Sequence, residues 1–362
     1  MGTTYLRRAL KPALLILIFH FVTALPAQTI GGNAVFNFLQ LPASPHQTGL
    51  GGINVSKISN DAGLAFSNPA LLKPGMHTQL NTVFNAMYDA VHAYTLSFAY
   101  HRQNIKTTFL WGLNYLDYGS LSQTDASGNL LGNFRPTDWV MQLSASRRYL
   151  QRWTYGTTLK FISSNYGQYR SNGIAIDVGI LYHDTANALS FSVLAKNMGT
   201  QLKEYDDAGP DDLPFDLVAG ISKRLSQAPL AFSFTAHHLH RFDTHYNDET
   251  FNTDNGFGNE SASGFTIDKL FRHFVFATTI FFGDMVEVDV GYNYLRRKEL
   301  SIGNSGNGLT GFSIGAALLL SKLQVRYARS HYQNNTAYNQ FGLSLVLNKY
   351  FGLKKFGERI GW

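Results

Sequence analysis

The chain has no cysteine, which excludes a disulfide framework and a lipid attached through a cysteine. Beyond its first residues, no segment approaches the roughly 18 consecutive apolar residues of a membrane-spanning helix. Charge is scarce, with only 15 % Asp, Glu, Lys and Arg. The formal net charge of +6 falls to +3 once Arg7, Arg8 and Lys11 are set aside, too weak a surplus for a nucleic-acid surface. A Ser–His–Asp pattern with supporting context, a paired-carboxylate signature and a dinucleotide fingerprint are all missing. No catalytic, cofactor-binding or metal-ligating residue is therefore assigned, and the chain reads as a non-enzyme.

What is present begins at the N-terminus. A basic stretch (Arg7, Arg8, Lys11) precedes an apolar run from Pro12 to Leu25 that only His20 and Thr23 interrupt. Pro26 and the small Ala27 follow. This is the layout of a secretory signal peptide over residues 1–27, with the mature chain starting at Gln28. Export combined with 33 glycines, 14 % aromatics and no spanning helix favours a β-barrel in the bacterial outer membrane over a soluble protein.

The strand rhythm supports that reading. Val286, Val288, Val290, Tyr292 and Tyr294 share one face of a strand, and Glu287, Asp289, Gly291 and Asn293 the other. The same alternation places Phe109, Trp111, Leu113 and Tyr115 together, then Ile174, Ile176, Val178 and Ile180, then Phe341, Leu343, Leu345 and Leu347. In a sandwich such faces pack inward; in a membrane barrel they meet lipid, and the polar faces line the lumen.

Fourteen strands are expected, near 79–88, 93–101, 107–116, 138–149, 153–165, 172–182, 188–196, 215–223, 230–240, 273–283, 285–294, 311–320, 323–329 and 338–348. Short connections (102–106, 150–152, 183–187, 224–229, Gly283-Asp284, Ser321-Lys322) alternate with mostly long ones (117–137, 166–171, 197–214, 241–272, 295–310, 330–337). An even strand count with long loops at one end is the pattern of an outer-membrane barrel with short periplasmic turns. The fold class expected is all-β: a 14-stranded antiparallel transmembrane barrel over 79–350, a plug segment over 28–78 and a periplasmic tail over 351–362.

Ionisable residues inside strands (Lys160, Asp177, Lys196, Asp216, Glu287, Asp289, Arg326) fall on the lumen face, where mutual pairing is expected and a charged-ligand route is the alternative. His237-His238-Leu239-His240, with His245 nearby, invites a metal reading. On a strand, however, His237 points away from His238 and His240, so a polar strand end is preferred. Asp206, Asp207, Asp211 and Asp212 match no calcium loop and read as a solvated acidic segment. The glycines from Gly303 to Gly308 lack the lysine of a phosphate loop.

Residues 28–78 lack the strand rhythm. They are too few for a core of their own and too apolar for a free tail. A plug inside a barrel wide enough to need filling satisfies both facts, a periplasmic extension being the alternative. The plug candidates are Gly51 and Gly52 for close backbone packing, and Asn60, Asp61, Asn68 and Pro69 as turn formers.

This stretch resembles the N-terminal region of the PorQ family, a component of the type IX secretion system of Bacteroidetes bacteria. The matching elements are Gly31-Gly32, Phe36-Asn37-Phe38-Leu39, Leu41-Pro42, Leu50-Gly51-Gly52, Asn60-Asp61 and Asn68-Pro69-Ala70. PorV proteins share the Asn-Pro-Ala element, and both families resemble FadL-type barrels. The resemblance implies a non-catalytic outer-membrane component anchoring a cell-surface attachment complex. That complex contains PorZ-like, PorU-like and PorV-like proteins and links secreted cargo to lipopolysaccharide. The long loop 241–272 supplies partner-interface candidates in Phe242, Tyr246, Phe251, Phe257 and Phe265. A FadL-like transporter of hydrophobic molecules and a PorV-like cargo shuttle are the alternatives.

Overall fold

The computed structural model describes residues 34–125, 127–205, 209–242, 266–300, 308–333 and 336–351. The expected signal peptide, Tyr246, Phe251, Phe257 and Phe265, His245, Asp206 and Asp207, Gly303 and most of the C-terminal tail lie outside these residues.

Fourteen antiparallel strands close into a barrel. In chain order they are β1 (Gln79–Ala86), β2 (His92–Arg102), β3 (Thr107–Asp117), β6 (Thr137–Tyr149), β7 (Trp153–Tyr166), β8 (Tyr169–Asp184), β9 (Leu189–Lys203), β10 (Asp216–Arg224), β11 (Leu230–Ala236), β12 (Phe274–Phe282), β13 (Val286–Asn293), β14 (Phe312–Leu319), β15 (Leu323–Gln333) and β16 (Thr336–Val346). Each strand pairs with its barrel neighbours in sequence, and β1 closes on β16 from Gln79↔Val346 to Ala86↔Asn339. Closure pairs backbone groups that lipid would leave unsatisfied. Two further strands, β4 (Leu121–Thr124) and β5 (Leu130–Phe134), form a separate hairpin within the loop expected at 117–137.

The alternation sets the faces as the sequence implies. Trp111, Ile174, Ile176, Val178, Ile180 and Phe341 are exposed on the outer wall, while Lys160, Asp177, Asp289 and Arg326 are buried inside. Tyr88, Tyr100, Tyr149, Trp153 and Tyr350 stand exposed at or near strand ends, where amphipathic rings suit the headgroup level. A closed barrel with an apolar exterior is a membrane barrel, because water would leave that belt uncovered.

The loop asymmetry is weaker than the sequence suggests. β7 runs to Tyr166 and β8 starts at Tyr169, so the long connection expected at 166–171 is a two-residue hairpin. Likewise β15 reaches Gln333 and β16 begins at Thr336, replacing the connection expected at 330–337. β9 continues to Lys203, well into the loop expected from 197. In each case the paired strands extend beyond the bilayer-sized run of alternation, through polar residues that carry no hydropathy signal. β11 is shorter than expected, ending at Ala236 rather than 240.

Residues 34–78 fill the barrel interior. The segment starts at the outer mouth, where Ala34 bridges Asp212 in parallel, and descends to the base, where the carbonyl of Thr78 accepts from the amide of Leu347. Short helices at Pro45–Gly49 and Ala62–Ala65 are capped by the side chains of Ser44 and Asp61. Leu50, Leu64, Phe66, Leu72 and Met76 form a core with the inward-facing Ala99, Leu110, Leu181 and Ala277 of the wall.

The lumen face is thus partly apolar, not polar throughout as alternation alone implies. Leu110, Leu116, Val140, Ile162 and Leu194 all point inward and are buried. The plug supplies the apolar partners that water would not.

Candidate functional site

Plug and wall are joined by buried charges. Nζ of Lys57 lies 2.9 Å from Oδ1 of Asp289 and donates to Thr279 Oγ1 at 2.6 Å. His46 Nδ1 sits 3.0 Å from Asp61 Oδ2, and Asp61 Oδ2 lies 3.3 Å from Arg326 Nε. Arg326 reaches Glu287 at 3.3 Å on the neighbouring barrel wall. Of the ionisable strand residues, Lys160 and Asp177 pair directly at 2.6 Å, and so do Arg326 and Glu287. Asp289 pairs with the plug, and Lys196 Nζ donates to the plug carbonyl of Leu39 at 3.1 Å. These contacts tie the plug in place and leave little free charge for a ligand route.

The plug candidates have distinct roles. Gly51 and Gly52 both adopt φ +91°, and the backbone at Gly51 presses against Gly291 of β13. The carbonyl of Asn60 accepts from Gln79 Nε2 at 3.1 Å. Asp61 caps a helix and joins the charge network. Asn68 Nδ2 donates to the Val55 carbonyl (2.7 Å) and to Ser192 Oγ (3.0 Å), while its Oδ1 accepts from Ala70 N. Pro69 packs on Gly156 of β7.

One wall segment is distorted. Between Ile176↔Met198 and Val178↔Ala195 the β8–β9 register slips, so Asp177 faces two residues, Lys196 and Asn197. Asn197 adopts φ +58°, donates its amide to Asp177 Oδ1 at 2.7 Å and holds the Pro214 carbonyl through Nδ2 at 2.9 Å. The bulge draws the β9–β10 connection inward over the plug.

Above the plug, at the outer mouth, lies a recess of about 410 Å³. Val35, Phe36 and Phe38 form its plug side, and Tyr118, Tyr166 and Tyr205 its rim. The hydroxyls of Tyr118 and Tyr166 donate to Asp138 Oδ2 at 2.6 and 2.9 Å. Burial and the neighbouring Asp138 carboxylate push the Tyr118 phenol above its ordinary pKa, so it stays a donor. The Tyr166 ring lies 5.8 Å from both Tyr118 and Tyr205. Phe36 reaches its place through a left-handed backbone (φ +59°) and packs on Gly173. Smaller cavities of about 10, 20 and 70 Å³ continue inward. Phe38 borders the recess and the first two; Lys196 borders the last two.

The recess residues were not singled out in the sequence. Tyr118, Tyr166 and Tyr205 are far apart in the chain, and only the β3–β6–β7–β8–β9 neighbour order brings them together. Of the interface candidates, Phe242 is described: it stacks on His273 with centroids 6.0 Å apart, and its carbonyl accepts from the His273 ring. Asp211 and Asp212 do not converge as cation ligands. The amide of Asp211 donates to Gln201 Oε1, and the carbonyl of Asp212 accepts from Val35 N.

The fold and interior define an outer-membrane-type β-barrel with a luminal plug. No family model matches the chain, and no curated protein does. Among solved structures, the TodX deltaS2S3 mutant, a monoaromatic hydrocarbon channel, is similar at a TM-score of 0.48 and 10 % identity, covering 83 % of this chain and 97 % of that one. A TodX deltaS2 mutant is similar at 0.48 and 11 %, covering 84 % and 98 %. The KdgM porin is similar at 0.33 and 6 %, covering 74 % and 98 %. At such identities and TM-scores the matches establish neither family nor function.

Proposed function

We propose that this barrel takes up small hydrophobic molecules across the outer membrane, in the manner of a FadL-like transporter, with the mouth recess as first binding site. The aromatic recess of about 410 Å³ carries the reading, its volume falling within the roughly 300–1,000 Å³ of small-molecule sites. Its apolar floor suits a hydrocarbon body. The Tyr118–Asp138–Tyr166 cluster suits a polar head that accepts or donates a hydrogen bond. The test is titration of the detergent-purified full chain with a fluorescent long-chain fatty acid. Saturable binding that Val35→Asp weakens at least about tenfold supports the reading. Absence of saturable binding to a correctly heat-modifiable barrel overturns it.

A second reading is favoured by one separate observation. The β4–β5 hairpin exposes Leu121, Leu130 and Leu131, the last two 74 % and 61 % accessible. An outer-face hairpin carrying apolar side chains suits a protein partner. With the PorQ resemblance of the plug, it supports a surface anchor for a PorZ-like protein in a complex with PorU-like and PorV-like proteins and lipopolysaccharide. Affinity purification from solubilised outer membrane separates the two readings. Recovery of a stoichiometric partner, lost on deleting 121–134, favours the anchor; recovery of the barrel alone with bound fatty acid favours transport.

A further inference from the structure

The segment His237-His238-Leu239-His240 does not continue the β11 alternation. β11 ends at Ala236, and His238 takes a left-handed backbone (φ +53°). Three backbone amides anchor that turn, two to carbonyls and one to a carboxylate. The amide of His238 donates to Asp216 Oδ1 at 2.7 Å, that of Leu239 to the Leu217 carbonyl at 3.0 Å, and that of His237 to the His273 carbonyl at 2.9 Å. The turn therefore swings His237 and His238 to the same side, with ring centroids 4.6 Å apart. Asp216, the first residue of the adjacent β10, completes the group. One ligand atom from each of Asp216, His237 and His238 lies within 4.8 Å of the other two.

The state of the imidazoles points to a ligand. His237 is 1 % exposed, and among the described residues neither ring nitrogen has a hydrogen-bond partner. Buried polar atoms are rarely left so. Nδ1 of His238 also lacks a hydrogen bond and stands 3.5 Å from Asp216 Oδ1. A cavity of about 70 Å³ lined by Asp216 and His238 adjoins the group, with room for water. Ligand atoms around a tetrahedral zinc are about 3.3 Å apart, as bond lengths of ~2.0–2.1 Å require. The present spacing, within 4.8 Å, has to contract by about 1.5 Å at most to reach that value.

We propose that Asp216, His237 and His238 bind a divalent transition-metal ion, zinc by ligand type, with water from the adjoining cavity as fourth ligand. The ion would clasp the start of β10 to the end of β11 at the outer mouth. The assignment does not rest on the transport reading: none of the three residues lines the aromatic recess, and Asp216 and His238 meet only the deeper cavity of about 70 Å³.

The test uses the full chain carrying no polyhistidine tag, purified in detergent and stripped with EDTA. Titration with Co²⁺ should give one equivalent of tetrahedral visible absorption, displaced by Zn²⁺. His237→Gln and His238→Asn should each weaken binding at least about thirtyfold. His101→Asn, on β2, should leave it unchanged. Absence of saturable one-to-one binding, or binding untouched by His237→Gln, overturns the site. Should either variant fail to fold, the wild-type chain still decides the matter. Zn²⁺ must protect His238, whose side chain is 16 % exposed, from diethylpyrocarbonate as read by mass spectrometry, and equal labelling of His238 with and without zinc overturns the proposal.

Discussion

Lys57 of the plug and Asp289 of β13 form an ion pair of 2.9 Å in the barrel interior, with side chains 5 % and 2 % exposed. Neither charge has water to fall back on. Lys57→Met strands the Asp289 carboxylate beside Thr279 and His46, and breaking one side of a buried pair costs about 3–5 kcal/mol. The expected outcome is a loss of that size in urea unfolding of the barrel in detergent. Lys57→Met with Asp289→Leu should recover most of the loss, because the pair also carries a desolvation cost. A single variant as stable as the parent would show that the plug is not held here.

The wall meets the plug at glycines. A Cβ at Gly156 would stand 2.5 Å from the carbonyl carbon of Pro69, which is backbone and cannot step aside. Gly156→Val is therefore expected to destabilise the assembly by about 1–3 kcal/mol and push the plug off its seat. Planar-bilayer recordings should show conductance well above that of the parent barrel. Gly308→Ala, with nothing within 4 Å of its Cβ position, is the matched control and should change neither property.

Much of this was legible in the sequence, for a plain reason. Alternation with period two fixes which side chains share a face, so the lipid-facing Ile174, Ile176, Val178 and Ile180 could be read off directly. The plug was legible because residues 28–78 lack that alternation, yet are too few for a core of their own and too apolar for a free tail. Which wall glycines it would touch was not, since Gly112, Gly156 and Gly179 have no side chain to mark a contact. Strand ends beyond the bilayer were lost because polar residues there carry no signal of pairing. The His237–His238 turn was hidden because a left-handed histidine breaks the alternation without a glycine to announce it. One signal could have exposed it: β10 pairs β11 through Ala219↔Ala236, and extending that register sets Asp216 beside the histidines.

The outer belt should behave as a lipid surface. Leu159 sits midway along β7 and is 56 % exposed, while its neighbour Thr158 is buried inside. Leu159→Arg is expected to cost about 2–4 kcal/mol when the barrel is folded into liposomes, the penalty of a charge near the bilayer midplane. In a short-chain detergent micelle, which deforms easily around the charge, the cost should shrink. An equal penalty in both would mean that something other than hydrocarbon covers this face.

Phe38 is where the transport reading meets its sharpest trial. Its buried ring separates the mouth recess from the cavities of about 10 and 20 Å³ beneath, and the latter shares Lys196 with the next of about 70 Å³. Truncation to alanine removes the ring shared by the recess and the two cavities of about 10 and 20 Å³, opening the recess toward them. Stability should fall by about 3–5 kcal/mol, as for other buried phenylalanines. Affinity should move the opposite way for long ligands, because each further methylene buried is worth about 0.8 kcal/mol, or roughly fourfold in affinity. The ratio of long-chain to short-chain fatty-acid affinity, measured by displacement of a fluorescent analogue, is therefore expected to rise at least about fivefold in Phe38→Ala. A ratio equal to that of the parent would mean that ligands never pass below the recess, and the inner cavities would then be packing defects around the plug with no part in a path.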